Sequence, residues 1–439
     1  MDEIKNKASL EEIRKSEGTL TVSALRKDLV QSSPIQVNVD VKTLPGPFVF
    51  QKKAPRLVQI QEYLFERYDF RYNTISNEVE YRTREEGPFS ALNENDLICE
   101  LLEQGLKGVE HPFLCLMRSS RIPRFDPLAS YFLGLPDWSP DQPDHIGKLA
   151  GYVSTKDQDW FKSQFRKMLV RTVAASLGRI AFNKQCFTLV GKQNDGKSSF
   201  LRFLCPPALQ DYLKENLDFN SKDGTLALCQ NLFINLDELS ALSRADINRI
   251  KATLSTDRVK ERLPYDRKPT VFRRRASFLA STNMPNFLTD ETGNVRWLVF
   301  EVLSIHHDNG GPNGYSKRVD IDLVYSQAVA LLNSGFHFDL TDVERARSER
   351  NNQQFRSHST EAELLAKYFL PGKDGSTGTV KMTTTEITEY LGEKSAIKLH
   401  ANQIGRALRV LDFPYERKYS ERSKNTVLRY LVRENDETG

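Results

Sequence analysis

The stretch FTLVGKQNDGKSSFLRFL, Phe187 to Leu204, sets two glycines and a lysine between an apolar run and a run of helical periodicity. Gly191, Gly196, Lys197 and Ser198 fit the spacing G-x-x-x-x-G-K-[ST]. Glycines at those places let the backbone close tightly, so that main-chain N–H groups turn inward toward phosphate oxygens. A helix starting at Lys197 directs its positive end to the same point. Lys197 is expected to reach the β- and γ-phosphates of a nucleotide and the Ser198 hydroxyl to bind Mg2+. Asn194, Asp195 and Ser199 complete the expected cradle, with ATP and Mg2+ as its ligands.

Hydrolysis needs further groups. NLFINLDELS is an apolar run ending in Asp237 and Glu238. Asp237 is expected to hold Mg2+, directly or through water, and Glu238 to orient or deprotonate the attacking water. Two acids after a strand also suit a plain helix N-terminus; their position some forty residues after the glycine loop favours chemistry. ASFLASTN ends in Asn283, whose amide suits a bond to the water or the γ-phosphate, or merely a turn. Arg296, in TDETGNVRW, enters another apolar run. Its guanidinium suits either an ion pair or a reach across a subunit boundary to a neighbour's nucleotide, a contact worth ~10³–10⁵ in rate where such fingers act.

These groups need a scaffold. CFTLVG, NLFINLDE, ASFLASTN and RWLVFEV alternate with helical stretches between Gln185 and about Val302, which predicts an α/β sheet with helices on its faces. WFKSQFRKMLVRTVAASLGRI reads as a long amphipathic helix leading into the phosphate region, and FDPLASYFLGLPDWSPDQPDH as a proline-rich connector. Upstream, helix-spaced LVQIQEYLFERYDF, a hairpin around TISNE and a capped helix in NENDLICELLEQGLKG make a small α+β domain. The expected organisation is a flexible tail over 1–50, the α+β domain over 51–125, an ATPase domain over 126–345, a charged linker over 346–358, and a C-terminal unit over 359–439. That last unit reads as helix, second helix, then a basic hairpin, the order of a winged helix.

Taken in order, GKQNDGKSS, NLDEL, RVKERLPYDRKPTVFRRRASFLASTN and TDETGNVRW resemble the virulence-associated protein E family. That family is similar to the superfamily-3 helicases, AAA+-type ring ATPases of viruses and mobile elements. The likeness runs from about Val58 to Phe336, and the lead-in FDPLASYFLGLPDW…DHIGKLAGYV shares it, especially with the Bacteroidetes branch. It implies a P-loop core of superfamily-3 type, a hexameric ring with nucleotide at subunit interfaces, Asn283 as sensor and Arg296 as the finger acting in trans. Relatives often carry a primase module; no primase-like acidic motif stands here, so a separate primase is the expected partner.

RVKERLPYDRKPTVFRRR, Arg258 to Arg275, holds eight basic residues against two acidic ones and reads as a hairpin with its tip at PYDRKP. Superfamily-3 proteins have a DNA-tracking hairpin between the acidic pair and the Asn motif. The resemblance thereby implies Tyr265, Arg267 and Lys268 in a central channel, with Lys260 and Arg262 on the rising arm. Clustered cations displace counterions from a phosphate chain, and Tyr265 offers a stacking face for single-stranded DNA. Arg406 and Arg409 on the last helix, with Arg417, Lys418, Arg422 and Lys424 around the wing, suit duplex DNA; such modules also dock proteins.

The composition fits these readings without singling them out. The chain has 439 residues, 39% hydrophobic and 27% charged, with a net charge of +4. No apolar run approaches the ~20 residues of a membrane span, and the start MDEIKNKASLEEIRK has no secretory apolar segment. Five scattered cysteines, four in apolar surroundings, read as buried free thiols of a reducing bacterial cytoplasm. His306 and His307 are adjacent but suggest no third metal ligand. The leading expectation is an ATP-dependent DNA helicase or translocase that replicates a mobile element or prophage. The alternatives are an origin-melting initiator that does not travel, and a defence or signalling P-loop ATPase.

Overall fold

The computed structural model describes residues 54–439 except 219–220, 240–243, 263–267, 289–295, 357–358, 396, 421–424 and 436–439. The tail expected over 1–50, and Tyr265, Arg267, Arg422 and Lys424, lie outside the described residues.

The first unit begins with the helix Arg56–Arg67, which buries Ile60 and Leu64. β1 (Tyr68–Asn73) and β2 (Glu78–Thr83) pair antiparallel around the expected turn. β3 (Ser90–Ala91) extends the sheet beyond β2, and β4 (Arg124–Phe125) runs parallel to β1. The helix Glu94–Glu103 is capped by the Asn93 side chain, as its sequence predicts. Glu100 accepts from the hydroxyls of Tyr63 and Tyr68, both at 2.8 Å, and so ties two elements of this unit together. Its hairpin tip is a docking pin: Ile75 is buried in the core of the next unit, and Asn73 Nδ2 donates to the Tyr212 hydroxyl at 2.7 Å.

The expected connector proves half helical. Pro127–Gly134 is a helix whose N-cap, Asp126, accepts from the Ala129 N–H. Proline suits the first helical turn, where its missing N–H costs nothing, and Leu128 and Phe132 are buried beneath it. β5 (Val153–Thr155) follows a short helix, His145–Ala150. The helix Gln158–Ser176 departs from expectation. From Trp160 onward nearly every side chain is buried, Lys167 and Arg171 included, so it is a central helix and not an amphipathic surface one. Its two cations survive burial because carbonyls and a carboxylate meet them. Lys167 Nζ donates to Glu344 Oε2 at 2.8 Å and to Asp339 O at 2.9 Å, and Arg171 Nη1 to Phe338 O at 2.7 Å.

The main sheet runs β5-β12-β6-β11-β8-β7, where β6 is Cys186–Val190, β7 Leu213–Glu215, β8 Phe233–Leu236, β11 Ser277–Thr282 and β12 Trp297–Ile305. All neighbours are parallel except β5 on β12. β6, β8 and β11 are buried throughout. Covered on both faces, such strands must read as continuous apolar runs, which is how the sequence writes them. Phe187 and Leu189 join the core on one face; Cys186 and Val190 join the core on the other. Between β8 and β11, β9 (Arg258–Glu261) and β10 (Thr270–Arg273) form a separate antiparallel hairpin.

The charged run expected as a helix end and linker holds the helix Asp342–Gln353, started by a Thr341/Glu344 capping box. Ser348 Oγ and Asn352 Nδ2 both donate to Trp297 O, at 3.3 and 2.8 Å, so this polar helix is bolted to β12 by buried hydrogen bonds. The last unit has the helices Thr360–Tyr368, Thr384–Lys394 and Ala401–Val410 over the strands β13 (Phe369–Pro371), β14 (Thr379–Met382), β15 (Tyr415–Ser420) and β16 (Asn425–Glu434). β16 pairs with the other three, and Leu365, Ile387, Ile404, Leu408 and Tyr430 form the core. Among the cysteines, Cys186, Cys205 and Cys229 are buried while Cys99 and Cys115 are exposed, so three thiols are enclosed and not four. No helix among the described residues is long and apolar enough to cross a membrane.

Candidate functional site

The parallel register brings the C-terminal ends of β6, β11 and β8 side by side, the place where such sheets leave a crevice. The loop Gly191–Gly196 leaves β6 there, anchored by Gly191 N–H donating to Thr282 O at 3.2 Å. Both glycines are required by their surroundings. A Cβ on Gly191 would lie 2.9 Å from Val302 O, and Gly196, at φ +79°, would set one 2.7 Å from the His307 ring. Asn194 is also left-handed, at φ 64°.

Lys197 opens the next helix and is only 7% exposed. Its ammonium donates to Gly191 O at 3.0 Å and to Lys192 O, closing the loop on itself. Burial pushes it below the usual lysine range, against the pull of Asp195 and Asp237. Ser198 Oγ donates to Asp237 Oδ1 at 2.7 Å. Ser281 Oγ donates to the same oxygen, and the Glu238 backbone N–H reaches it at 3.2 Å. The other oxygen, Oδ2, faces Arg202 Nη2 at 3.4 Å. Burial alone would raise the Asp237 carboxyl, but the hydrogen bonds from Ser281 and Ser198 and the Arg202 charge outweigh it and hold the group below the usual carboxylate range. Arg202 is itself held by Glu215, at 2.7 and 3.1 Å. Glu238 is exposed and sits at φ 54°, a strained conformation for a residue with a side chain.

Lys197, Ser198, Arg202, Asp237, Glu238 and Ser281 line one cavity of about 850 Å3, together with Asn194, Asp195, Ser199 and Asn283. Its donor set fits the expected ligands. Asp195 Oδ2 is buried with no protein partner, the two glycines keep the cradle open, and one ionised carboxylate with two hydroxyls suits a hard cation that also takes phosphate oxygens. Among the described residues no three His, Cys, Asp or Glu gather as a metal cluster, so any ion here would depend on the substrate's oxygens.

Arg296 lies elsewhere. Trp297 is level with Cys186 at the start of β6, so Arg296 sits one strand length, roughly 16 Å, from the glycine loop. There its Nε donates to Ser255 Oγ at 3.0 Å. In the β9–β10 hairpin, Lys260, Arg262 and Lys268 are exposed. The three consecutive arginines after them are not available in the same way. Arg274 is fully buried and donates to the carbonyls of Thr253, Leu254, Thr256, Asn183 and Ala276 at 2.7–3.3 Å. Arg273 binds Ala175 O and Ser176 O, and Arg275 pairs with Asp126 at 2.6 Å. The eight-cation count therefore overstated the free charge of this stretch. Arg406, Arg409, Arg417 and Lys418 are all exposed on the last unit.

Residues 135–357 match the virulence-associated protein E-like domain, about half of the chain. The chain belongs to this family. The match covers the whole main sheet and the helix bolted to β12, and it leaves out the first and last units. Similar solved structures include two apo structures of the NrS-1 C-terminal region, each 12% identical, with TM-scores of 0.46 and 0.47, covering 87% and 86% of this chain and all of theirs. Another is the SCCmec type IV Cch active helicase, 13% identical, TM-score 0.34, covering 84% of this chain and 93% of that one. No curated protein matches the sequence.

Residues at the site that the sequence reading did not place there include Ser281, Arg202 and His307. Ser281 stands two places before Asn283 in ASFLASTN, a spacing that could have marked it. Arg202 and His307 carry no local signal and depend on the sheet order.

Proposed function

We propose that this chain is an ATP-driven DNA helicase or translocase serving replication of a mobile genetic element or prophage in a bacterial cytoplasm. The observation that carries the reading is the convergence of Ser198, Ser281 and Asp237 beneath a loop closed by Lys197. On binding ATP, Lys197 exchanges the Gly191 and Lys192 carbonyls for β- and γ-phosphate oxygens, which are stronger partners for a half-desolvated ammonium. Mg2+ held by Ser198 and Asp237 would neutralise charge on those oxygens. Glu238, exposed beside the site, orients the attacking water and accepts its proton, while Asn283 fixes the water or the γ-phosphate.

Arg296 is too far from this chain's own loop to act there, which supports a role toward a neighbour's nucleotide in a homo-hexameric ring. Lys260, Arg262, Tyr265, Arg267 and Lys268 grip single-stranded DNA and move it as the ring turns over ATP. The last unit reads as a winged helix whose Arg406, Arg409, Arg417 and Lys418 bind duplex DNA. A separate primase supplies primers.

The test is ATP hydrolysis with and without single-stranded DNA, and unwinding of forked duplexes of increasing length, for the parent and Lys197→Ala. Hydrolysis stimulated by DNA and unwinding of long forks are expected of the parent alone. No hydrolysis sinks the reading. Opening of short duplexes only favours the origin-melting initiator, which the exposed arginine pair on the Ala401–Val410 helix also suits. Hydrolysis indifferent to DNA favours a signalling ATPase.

A further inference from the structure

We infer that the segment His307–Ser316 is the wall that holds the nucleoside half of the nucleotide, with the Asn309 amide and the Ser316 hydroxyl as its polar contacts. This rests on the nucleotide-site reading above and adds the part that recognises base and ribose. The first argument is topological. β6 has two neighbours, β11 and β12. Asp237 and Asn283 follow β8 and β11, and Ser281 lies near the end of β11, so the charge-handling groups stand on one side of the glycine loop. On the other side the segment after β12 closes the cavity, contributing His307, Asn309, Gly310, Tyr315 and Ser316. A triphosphate seated on Lys197 with its reacting end toward Asp237 must extend its nucleoside the other way.

The second argument is construction. Asp308, Asn309 and Gly310 are three consecutive left-handed residues, at φ 48°, 44° and 83°. Two of them carry side chains, and such strain persists only where the surroundings fix it. They do: Asn313 N–H donates to Asp308 Oδ2 at 2.8 Å, and Gly310 N–H to His307 O at 3.1 Å. At the far end Tyr315 is buried, its ring edge-on to Phe200 and Phe203 of the helix that follows the loop, at 5.3 and 5.0 Å. The segment is thus tied to the phosphate cradle at both ends. The third argument is polarity. His307 Nδ1 accepts from the Asn309 N–H at 3.0 Å, which leaves the proton on Nε2. The Cδ2 carbon of the ring faces Gly196, with Nε2 next to it, so the imidazole packs against the end of the glycine loop and lines the cavity there. Asn309 and Ser316, both exposed polar residues, line the cavity beyond it.

The test compares ATP with inorganic tripolyphosphate by titration calorimetry on the full chain. Asn309→Gly removes the amide while glycine keeps the left-handed backbone, and Ser316→Ala removes the hydroxyl at an exposed position. Together they should weaken ATP about tenfold and leave tripolyphosphate binding unchanged. Each single variant should show part of that loss, which keeps the test informative if the pair folds poorly. Equal weakening of both ligands, or no change for ATP, overturns the inference while the site reading stands. Lys197→Ala should lose both ligands. If the parent binds neither, the site reading fails and takes the inference with it.

Discussion

Ser281 donates a hydrogen bond to Asp237 Oδ1, the same oxygen that Ser198 reaches at 2.7 Å, so two hydroxyls from different elements share one carboxylate lone-pair region. That arrangement keeps Asp237 ionised and aimed. A hydrogen bond to a charged, half-buried group is worth about 1.5–3 kcal/mol, and Ser198 and Arg202 remain when Ser281 is lost. Ser281→Ala should therefore cost about 1–2 kcal/mol of stability at neutral pH. The Asp237 pKa is depressed in the folded chain, so its contribution is complete above the unfolded value of ~3.9 and is lost as pH falls through the folded value. The deficit of Ser281→Ala should accordingly be largest at neutral pH and shrink as pH falls below the unfolded value. Urea midpoints measured across that range check it; a deficit independent of pH would assign Ser281 to packing alone.

Glu238 separates binding from turnover. Its carboxylate is exposed and touches neither Lys197 nor the loop carbonyls, so Glu238→Gln should bind ATP with unchanged affinity. Turnover should fall about 10²–10⁴-fold if it handles the water's proton. Its φ of 54° gives a second readout. Glu238→Gly should be inactive yet at least as resistant to heat as the parent, because glycine adopts that conformation without strain. Calorimetric affinity, steady-state rate and a melting curve on the two variants make the measurement.

What was legible in the sequence was what is local. The Gly191–Ser198 spacing encodes its own geometry, and an acid at the end of an apolar run, Asp237, needs only its strand to be placed. Ser281 offered only its spacing before Asn283, because its partner is 44 positions away and a serine in a strand is unremarkable. His307 read only as one of two adjacent histidines with no third metal ligand; the β12–β6 pairing is what carries it to Gly196. The Gln158–Ser176 helix misled because its lysines and arginines looked like a solvated face, whereas Asp339, Glu344 and Phe338 meet two of them inside. Burial of a cation is decided by distant carbonyls that no window of sequence contains.

Arg296 gives a prediction that depends on assembly. At the start of β12, at the end of the sheet away from the cavity, its Nε donates to Ser255 Oγ. If it fires a neighbour's nucleotide, Arg296→Ala should lose hydrolysis by about 10³-fold or more while melting like the parent. Mixing it with Lys197→Ala subunits should restore part of the rate, since a mixed interface then pairs an intact loop with an intact arginine. Ser255→Ala should leave the rate nearly unchanged. A lowered melting point for Arg296→Ala with no rescue on mixing would make the residue an anchor of β12.

The β9–β10 hairpin allows stability and DNA contact to be told apart within a few residues. Arg274 satisfies five carbonyls in the interior, two of them, Thr253 O and Leu254 O, at the end of the Arg244–Leu254 helix. Burial pushes its guanidinium down to about 10, which leaves it charged at neutral pH. Arg274→Met keeps the volume but strands those carbonyls, so a loss of about 3–5 kcal/mol is expected, with DNA binding falling only as far as the fold does. Lys260 and Lys268 are exposed and bear nothing of that interior. Lys260→Ala and Lys268→Ala should melt like the parent, bind ATP normally and lose DNA-stimulated hydrolysis. If each lysine meets a phosphate, each substitution should also reduce the slope of log affinity against log salt by about one. Fluorescence anisotropy with labelled single strands over a salt series measures it, and an unchanged slope in both variants would move the DNA path away from this hairpin.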